Sequence, residues 1–458
     1  MLKKYIGDRA FLKSVLLIAV PIMVQNGITN FVNLLDNIMI GRVGTLQMSG
    51  VAITNQLIFV FNLFIFGAIS GAGIFTAQYY GVGDEKGIRN TFRFKIVICM
   101  LLTVIGCLVF YFAGDFLIGL YLQENESAAD IAATLQYGKE YLLIMLIGLV
   151  PYAITQAYAG TLRETGETIL PMRAGLVAVF VNLVLNYLLI FGKFGFPMLG
   201  VNGAAIATVI SRFAEFFIIY IKVKHQKEKY SHMNKILYHF SIPGKLVVNI
   251  TKTGVPLLVN EGLWAMSMAM LNQCYSTRGL DAVAAVNIQS TIWNVFSITF
   301  MAMGNAIGIM IGQILGTGDI EKAKEDDAKL VHFSVLTCII IALLLASMAW
   351  LFPKAYNTTE HVRHLATQLI LIGALFMPVD AYTNAAYFTI RAGGKTGITF
   401  LFDSFFMWCV NIPIAYVLSR YTAISLEMLF LASTSVIVLK ALIGFIMVRS
   451  GIWTKVLV

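Results

Sequence analysis

Residues 77–84 read AQYYGVGD and residues 312–319 read GQILGTGD. Gln78, Gly81, Gly83 and Asp84 return as Gln313, Gly316, Gly318 and Asp319, each shifted by 235 positions. Outward from this stretch the same shift holds without a gap. Val20-Pro21 returns as Val255-Pro256, Gly27 as Gly262, Gly44 as Gly279 and Val60-Phe61 as Val295-Phe296. Further along, TLRETGETILP at 161–171 is echoed by TIRAGGKTGIT at 389–399, a shift of 228, so a few residues are lost between the third and fourth helices of the second half. In the GVGDEKGIRN and GTGDIEKAKE loops, glycines followed by charges read as helix–helix turns with solvated side chains. The chain is a duplication.

Both copies are apolar enough for a bilayer. Hydrophobic residues make up 58% of the 458 positions and charged residues 12%, against roughly 25% charged in soluble domains. Runs of about 20 apolar residues, enough to cross ~30 Å of hydrocarbon, recur near 15–40, 50–80, 94–113, 136–162, 170–191, 201–221, 253–276, 284–312, 330–352, 366–390, 397–418 and 425–448. This predicts an all-α polytopic membrane protein of twelve transmembrane helices. The second and eighth runs exceed a simple span, so tilt, kinks or overhang absorb the excess. Six spans precede the polar, basic segment 222–252 and six follow it. The expected domains are therefore 1–221, a cytoplasmic linker 222–252, and 253–458. An even number of spans per half makes the repeats parallel, the build of a secondary transporter whose substrate site lies between repeats that rock against each other.

Lys and Arg set the orientation. With the N-terminus inside, inner segments carry 24 of the 33 and outer loops 7, while Arg212 and Lys440 fall within spans. The outer segment 115–130 is acidic, with Asp115, Glu124, Glu126 and Asp130. By the positive-inside rule both termini are cytoplasmic. The net charge of +9 then reflects inner loops facing anionic lipid, not nucleic-acid binding. Lys3, Lys4, Arg9 and Lys13 resemble a signal-peptide n-region, but the apolar run after them is too long and continues into the repeat, so it is read as a retained first span. Cys99, Cys107, Cys274, Cys338 and Cys409 all fall in spans without metal-ligand spacing and read as small buried hydrophobes. No Walker-type loop, His cluster or nucleophile–base pair stands out, so the chain reads as no enzyme. Transport is then driven by a gradient or is passive, with no cofactor.

Five acids fall within spans: Asp36, Glu215, Glu261, Asp380 and Asp403. A carboxylate at mid-bilayer costs at least ~2.5–3.5 kcal/mol on insertion scales, which makes each a functional candidate. Asp36 ends a polar stripe of Asn26, Asn30 and Asn33 at near-helical spacing, which should turn away from lipid. Asn182 and Asn186 share a face of the fifth span, and Thr208 lies on the sixth. Such oxygen-only chemistry suits a proton or a hard cation such as Na⁺; a satisfied helix–helix hydrogen-bond cluster is the plain alternative. Glu261 and Asp380 lie at similar depths, about 12 and 15 Å from the inner ends of their spans at ~1.5 Å per residue. Two carboxylates that approach there would share protons or a cation. Glu215 is placed with Arg212 at i,i+3, as a structural pair. Asp403, followed by Trp408 and Asn411, is open to either reading. Trp264 with Met266, Met268 and Met270, and Gln289, Trp293 and Asn294 on the eighth span, are cavity-lining candidates for flat cations, with ordinary packing as the alternative.

Taken together, PIMVQNGITNFVNLLDNIMIGRVG at 21–44, NLVLNYLLIFGKFGFPMLGVNGAAIATVIS at 182–211, VPLLVNEG at 255–262 and MPVDAYTNAAYFTIRAGGKT at 377–396 resemble the multidrug and toxic compound extrusion (MATE) transporters. The resemblance covers essentially the whole chain. Acids in spans seven and ten bring it closer to the NorM-like branch than to the DinF-like one. It implies two six-helix lobes forming a V and cation-coupled (Na⁺ or H⁺) antiport that exports amphipathic, often cationic, drugs from the inner (plasma) membrane. It groups Asp36, Asn182, Asn186 and Thr208 as a cation or proton site of the N-lobe. It places Glu261 and Asp380 in a cation or substrate site of the C-lobe, with Na⁺ possible at either. One branch carries an aspartate where Asn186 stands, so this N-lobe is less charged. Partners are then small amphipathic or cationic substrates and membrane lipids, acting on a monomer. The competing reading is a flippase for a lipid-linked oligosaccharide, whose anionic headgroup would call for several basic residues in the cavity. A structural or receptor-like membrane protein would leave the buried acids without purpose.

Overall fold

The computed structural model describes residues 7–122, 127–234 and 241–458, without the side chains of Asn33 and Leu34. Lys3, Lys4, Glu124, Glu126 and the Asn33 side chain, invoked above, lie outside the described residues. Among those residues, twelve helices are long and apolar enough to cross a membrane. The first six are α1 (Arg9–Gly41), α2 (Thr45–Val82), α3 (Glu85–Gly119), α4 (Ala128–Glu164), α5 (Ile169–Phe191) and α6 (Gly200–His225). After the linker come α7 (Gly244–Ser276), α8 (Leu280–Phe296, resumed as Ile298–Gly316), α9 (Ile320–Met348) and α10 (Glu360–Ala392). The last two are α11 (Thr396–Tyr421) and α12 (Leu426–Arg449). Each expected span falls on one of these helices. The two overlong runs resolve differently: α2 stays a single helix of 38 residues, whereas α8 breaks at Ser297.

Capping is repeated along with the sequence. Asp84 Oδ1 accepts from the Lys86 and Gly87 N–H groups at 3.0 Å, and Asp319 Oδ1 from the Lys322 N–H at 3.0 Å. These two aspartates satisfy free N–H groups at the starts of α3 and α9. Gly83 and Gly318, just before them, both stand at φ +80°, a conformation that favours glycine. The turn reading holds for those two positions. Gly81 and Gly316 act differently. A Cβ on Gly81 would strike the Gln313 carbonyl, and one on Gly316 would strike the Gln78 carbonyl. The two copies of the motif thus cross each other glycine against backbone. Gln78, fully buried, donates to the carbonyls of Ala392 and Lys455 at 3.2 Å and accepts from the Leu457 N–H at 2.7 Å, anchoring the chain's end.

The chain divides into two compact units whose borders depart from the expected 221 and 253. Lys252–Val458 is joined by the residues up to Met23 and by Ala77–Gly83, while Val24–Thr76 and Asp84–Thr251 form the other unit. Packing explains the exchange. Val15, Ile18, Ala19 and Ile22 share one core with Ala302, Met303, Ala306 and Ile307, and the glycine crossing holds 77–83 there. Within the segment 222–252, Tyr230 and Met233 enter the core of the unit Val24–Thr76 with Asp84–Thr251. Lys229 ion-pairs with Glu167, and that hydrogen bond pushes the Lys229 ammonium above its ordinary pKa. Cys99, Cys274 and Cys338 are buried as expected, whereas Cys107 is half-buried and Cys409 exposed.

Candidate functional site

In the unit Val24–Thr76 with Asp84–Thr251, the structure brings together all four residues proposed for the first site. Asn182 and Asn186 are one turn apart on α5, so their amides stack on one face. Asn186 Nδ2 donates to Asp36 Oδ1 at 2.6 Å and to Asn182 Oδ1 at 3.2 Å, and Asn182 Nδ2 donates to Thr208 Oγ1 at 3.2 Å. Turned over, the Asn182 amide donates to Asp36 Oδ1 and Oδ2 at 3.2 and 3.1 Å and accepts from Thr208 Oγ1 at 3.2 Å. The second orientation is the one its neighbours favour, since it turns N–H donors rather than an amide oxygen toward the carboxylate. Asn186 Oδ1 is buried without a hydrogen-bond partner. Carboxylate, amide oxygens and hydroxyl make an oxygen-rich pocket for a proton or Na⁺. The stripe upstream is only partly inward, since Asn26 is half-buried and Asn30 exposed.

Sequence reasoning missed Tyr141 on α4. Its hydroxyl donates to Asn55 Oδ1 at 3.4 Å and hydrogen-bonds Thr208. Nothing in its local sequence sets it apart from the chain's other tyrosines. A cavity of about 420 Å³ opens along the same helices, with Val43, Ile190 and Val201 among its walls and Arg42, Gln47, Tyr137, Glu140 and Asn202 as its polar lining. Ile190 is one turn beyond Asn186 on α5, so the cavity and the Asp36 cluster are stacked along the bundle.

Helix ends reach further than the apolar runs indicated, and they bring more bases inside than Arg212 and Lys440 alone. Lys95 is fully buried, ion-pairs with Glu164 and donates to Thr161 Oγ1 at 3.1 Å. Arg163 donates to Gln25 Oε1 at 2.8 Å. Glu215 forms no direct ion pair with Arg212 among the described residues; Arg163 acts on it more strongly, and Arg212 lies instead over the Tyr152 ring at 5.0 Å. The i,i+3 pair expected there does not form among the described residues; Arg163 on α4, itself under the influence of the adjacent Glu164, acts on Glu215 together with Arg212.

The second constellation differs more from expectation. Glu261 and Asp380 are both half-buried, and no hydrogen bond joins them among the described residues. Asp403 is the acid with partners. Lys440 Nζ donates to Asp403 Oδ1 at 2.6 Å and Asn260 Nδ2 to Asp403 Oδ2 at 2.9 Å. Ser404 fixes Asn260 in turn, through Oγ to Asn260 Oδ1 at 2.7 Å. Asp403 sits in wide π-helical turns, Leu401–Phe405 followed by Met407–Asn411, a distortion frequent at functional sites. Charges tie the three acids together: Arg391, then Asp403, act on Glu261, and Lys440 acts on Asp380. Asn260, Arg391 and Lys440 were the residues to add, with Tyr387, whose hydroxyl accepts from Asn260 Nδ2 at 3.4 Å.

Of the lining candidates, Gln289 is buried, and Trp293 packs on Phe300 at 5.9 Å between centroids and against Gly373. Both act as α8–α10 packing. Asn294 is exposed, as is Met266. No cluster of three or more His, Cys, Asp or Glu that could hold a metal ion exists among the described residues.

The MatE family model matches residues 21–188 and 256–417, one segment in each half. The chain belongs to the MatE family. Its relatives include a probable multidrug resistance protein NorM of Thermotoga maritima, 26% identical over 97% of this chain and 93% of that protein. The probable multidrug resistance protein YoeA of Bacillus subtilis is 25% identical over 90% of this chain and 88% of its own length. The fold is that of solved MATE structures. An outward-facing multidrug resistance MATE transporter superposes with a TM-score of 0.86 at 17% identity, covering 98% of both chains. A MOP-superfamily transporter from Pyrococcus furiosus gives 0.84 at 19% identity, over 98% of this chain and 97% of that one. The chain is thus an integral membrane protein of the multidrug efflux family. Asp36, Asn182, Asn186, Glu261, Asp380 and Asp403 fall within the MatE segments; Thr208 and Lys440 lie beyond them.

Proposed function

We propose that this MatE protein is a cation-coupled antiporter of the plasma membrane, with both termini cytoplasmic. It exports small amphipathic, often cationic, compounds in exchange for Na⁺ or H⁺. The observation that carries the reading is Asp36 gathered with Asn182, Asn186 and Thr208 inside an apolar bundle, a carboxylate with amide and hydroxyl neighbours that a proton or Na⁺ can neutralise. The membrane supplies enough energy: one charge moving down ~100 mV releases about 2.3 kcal/mol, a roughly fiftyfold concentration ratio. Glu261 and Asp380 hold the substrate or a second coupling ion, because a carboxylate neutralised by H⁺ or Na⁺ loses its attraction for a cationic drug. Relatives named for multidrug resistance support this substrate class.

The test is dye efflux from liposomes holding the purified protein, with Na⁺ and H⁺ gradients imposed separately. One of the two gradients should drive efflux in wild type, and Asp36→Asn should lose that drive while remaining inserted. Gradient-driven efflux by Asp36→Asn at the wild-type rate would remove Asp36 from coupling, and a wild type indifferent to both gradients would remove the antiport reading.

A further inference from the structure

Lys440 is a cation placed by the fold among acids. Its ammonium contacts Asp403, lies over the Phe402 ring at 5.2 Å and is the charge acting on Asp380. Its side chain is 13% exposed and that of Asp403 15%, so water screens the pair little. Asn260 and the π-helical turns of α11 fix Asp403 from the other side. Around the Asp403–Lys440 contact, Glu261, Asp380 and Arg391 act through space; counted fully ionised, these three acids and two bases carry one net negative charge.

We propose that Lys440 is a tethered counter-cation that sets the charge this acid cluster accepts, tuning it to monocations over dications. The inference rests on the exporter reading and adds the substrate charge. A monocation neutralises the single remaining charge and leaves the Asp403–Lys440 pair intact. A dication can be neutralised only if Lys440 leaves Asp403, and a buried pair opposes such a separation.

The experiment measures binding of tetraphenylphosphonium, a monocation, and methyl viologen, a dication, to the full chain in lipid nanodiscs. Lys440→Met leaves two negative charges and should shift the affinity ratio toward the dication by about tenfold or more. Asp403→Asn leaves none and should weaken both ligands. The double variant restores one charge and should return to the wild-type ratio, as should Lys440→Arg. If Lys440→Met and Asp403→Asn shift the ratio in the same direction, the pair is only a staple between α11 and α12 and the proposal falls. Should Lys440→Met fail to fold, Asp403→Asn and the double variant still differ only in Lys440. The double must then bind the dication more tightly, and equal affinities overturn the proposal. A wild type that binds cations while Lys440→Met keeps its ratio overturns this inference alone. A wild type that binds neither cation overturns the exporter reading, and this inference with it.

Discussion

Replacing Gly81 by alanine probes the crossing that the repeat builds. The added Cβ would overlap the Gln313 carbonyl oxygen, a backbone atom that no rotamer change moves aside. Either α2 or α8 must then shift. Overpacking of this kind costs about 1–3 kcal/mol, or a melting temperature lower by roughly 2–12 °C for a unit of this size. Gly316→Ala meets the Gln78 carbonyl in the same way and should cost about as much. The double variant should cost less than the sum, because one displacement relieves both overlaps. Gly27→Ala and Gly262→Ala are repeat-matched controls, as a Cβ at either position meets nothing within 4 Å. Alanine there gains helix propensity of up to about 1 kcal/mol. Thermal unfolding of the purified protein in one detergent ranks the four. If Gly81→Ala melts with the controls, the close approach does not bear on stability and the account of the repeated motif is wrong.

Lys95→Met should destabilise by about 3–5 kcal/mol, since it strands Glu164 without its buried counter-charge; adding Glu164→Gln should recover most of that loss in the same melting assay. Glu261→Gln and Asp380→Asn should each abolish gradient-driven efflux while leaving a folded, inserted protein. Tetraphenylphosphonium should bind wild type more weakly as pH falls, because protonation removes the negative charge that attracts it. That dependence should vanish in the Glu261→Gln, Asp380→Asn double variant, and its persistence would place the titrating group elsewhere.

Fold class and helix number were legible because both rest on local or exactly repeated information. Twenty apolar residues span a bilayer whatever they pack against, and a constant shift of 235 positions needs no knowledge of contacts. The unit borders were not legible for the same reason. Pro21 and Gly81 look alike in both copies, yet which core each half-helix joins depends on residues far along the chain, such as Ala302 for Ile18 and Gln313 for Gly81. Reading Gly81 and Gly316 as turn glycines followed the same logic: their neighbours Gly83 and Gly318 do make the turns, and only a third dimension separates a turn from a crossing.

The two candidate sites show where that limit falls. Spacing put Asn182 and Asn186 on one face, since amides at i,i+4 must share it; it was the resemblance to the MATE transporters that grouped them with Asp36 and Thr208. Asp403 and Lys440 are 37 positions apart on neighbouring helices, each alone on an otherwise apolar stretch, with no periodic companion to betray a shared face. Depth and the family resemblance were the guides. They matched Glu261 with Asp380 but passed over Lys440, which was read only as a base within a span. A long side chain decides such cases: the lysine head reaches several ångströms from its own Cα, so the depth of the residue is not the depth of its charge. Acids, with short side chains, act where the helix puts them. In this bundle the packing that directs each lysine or arginine settles the positive half of the charge network, and with it which acid, Asp403 among them, is paired.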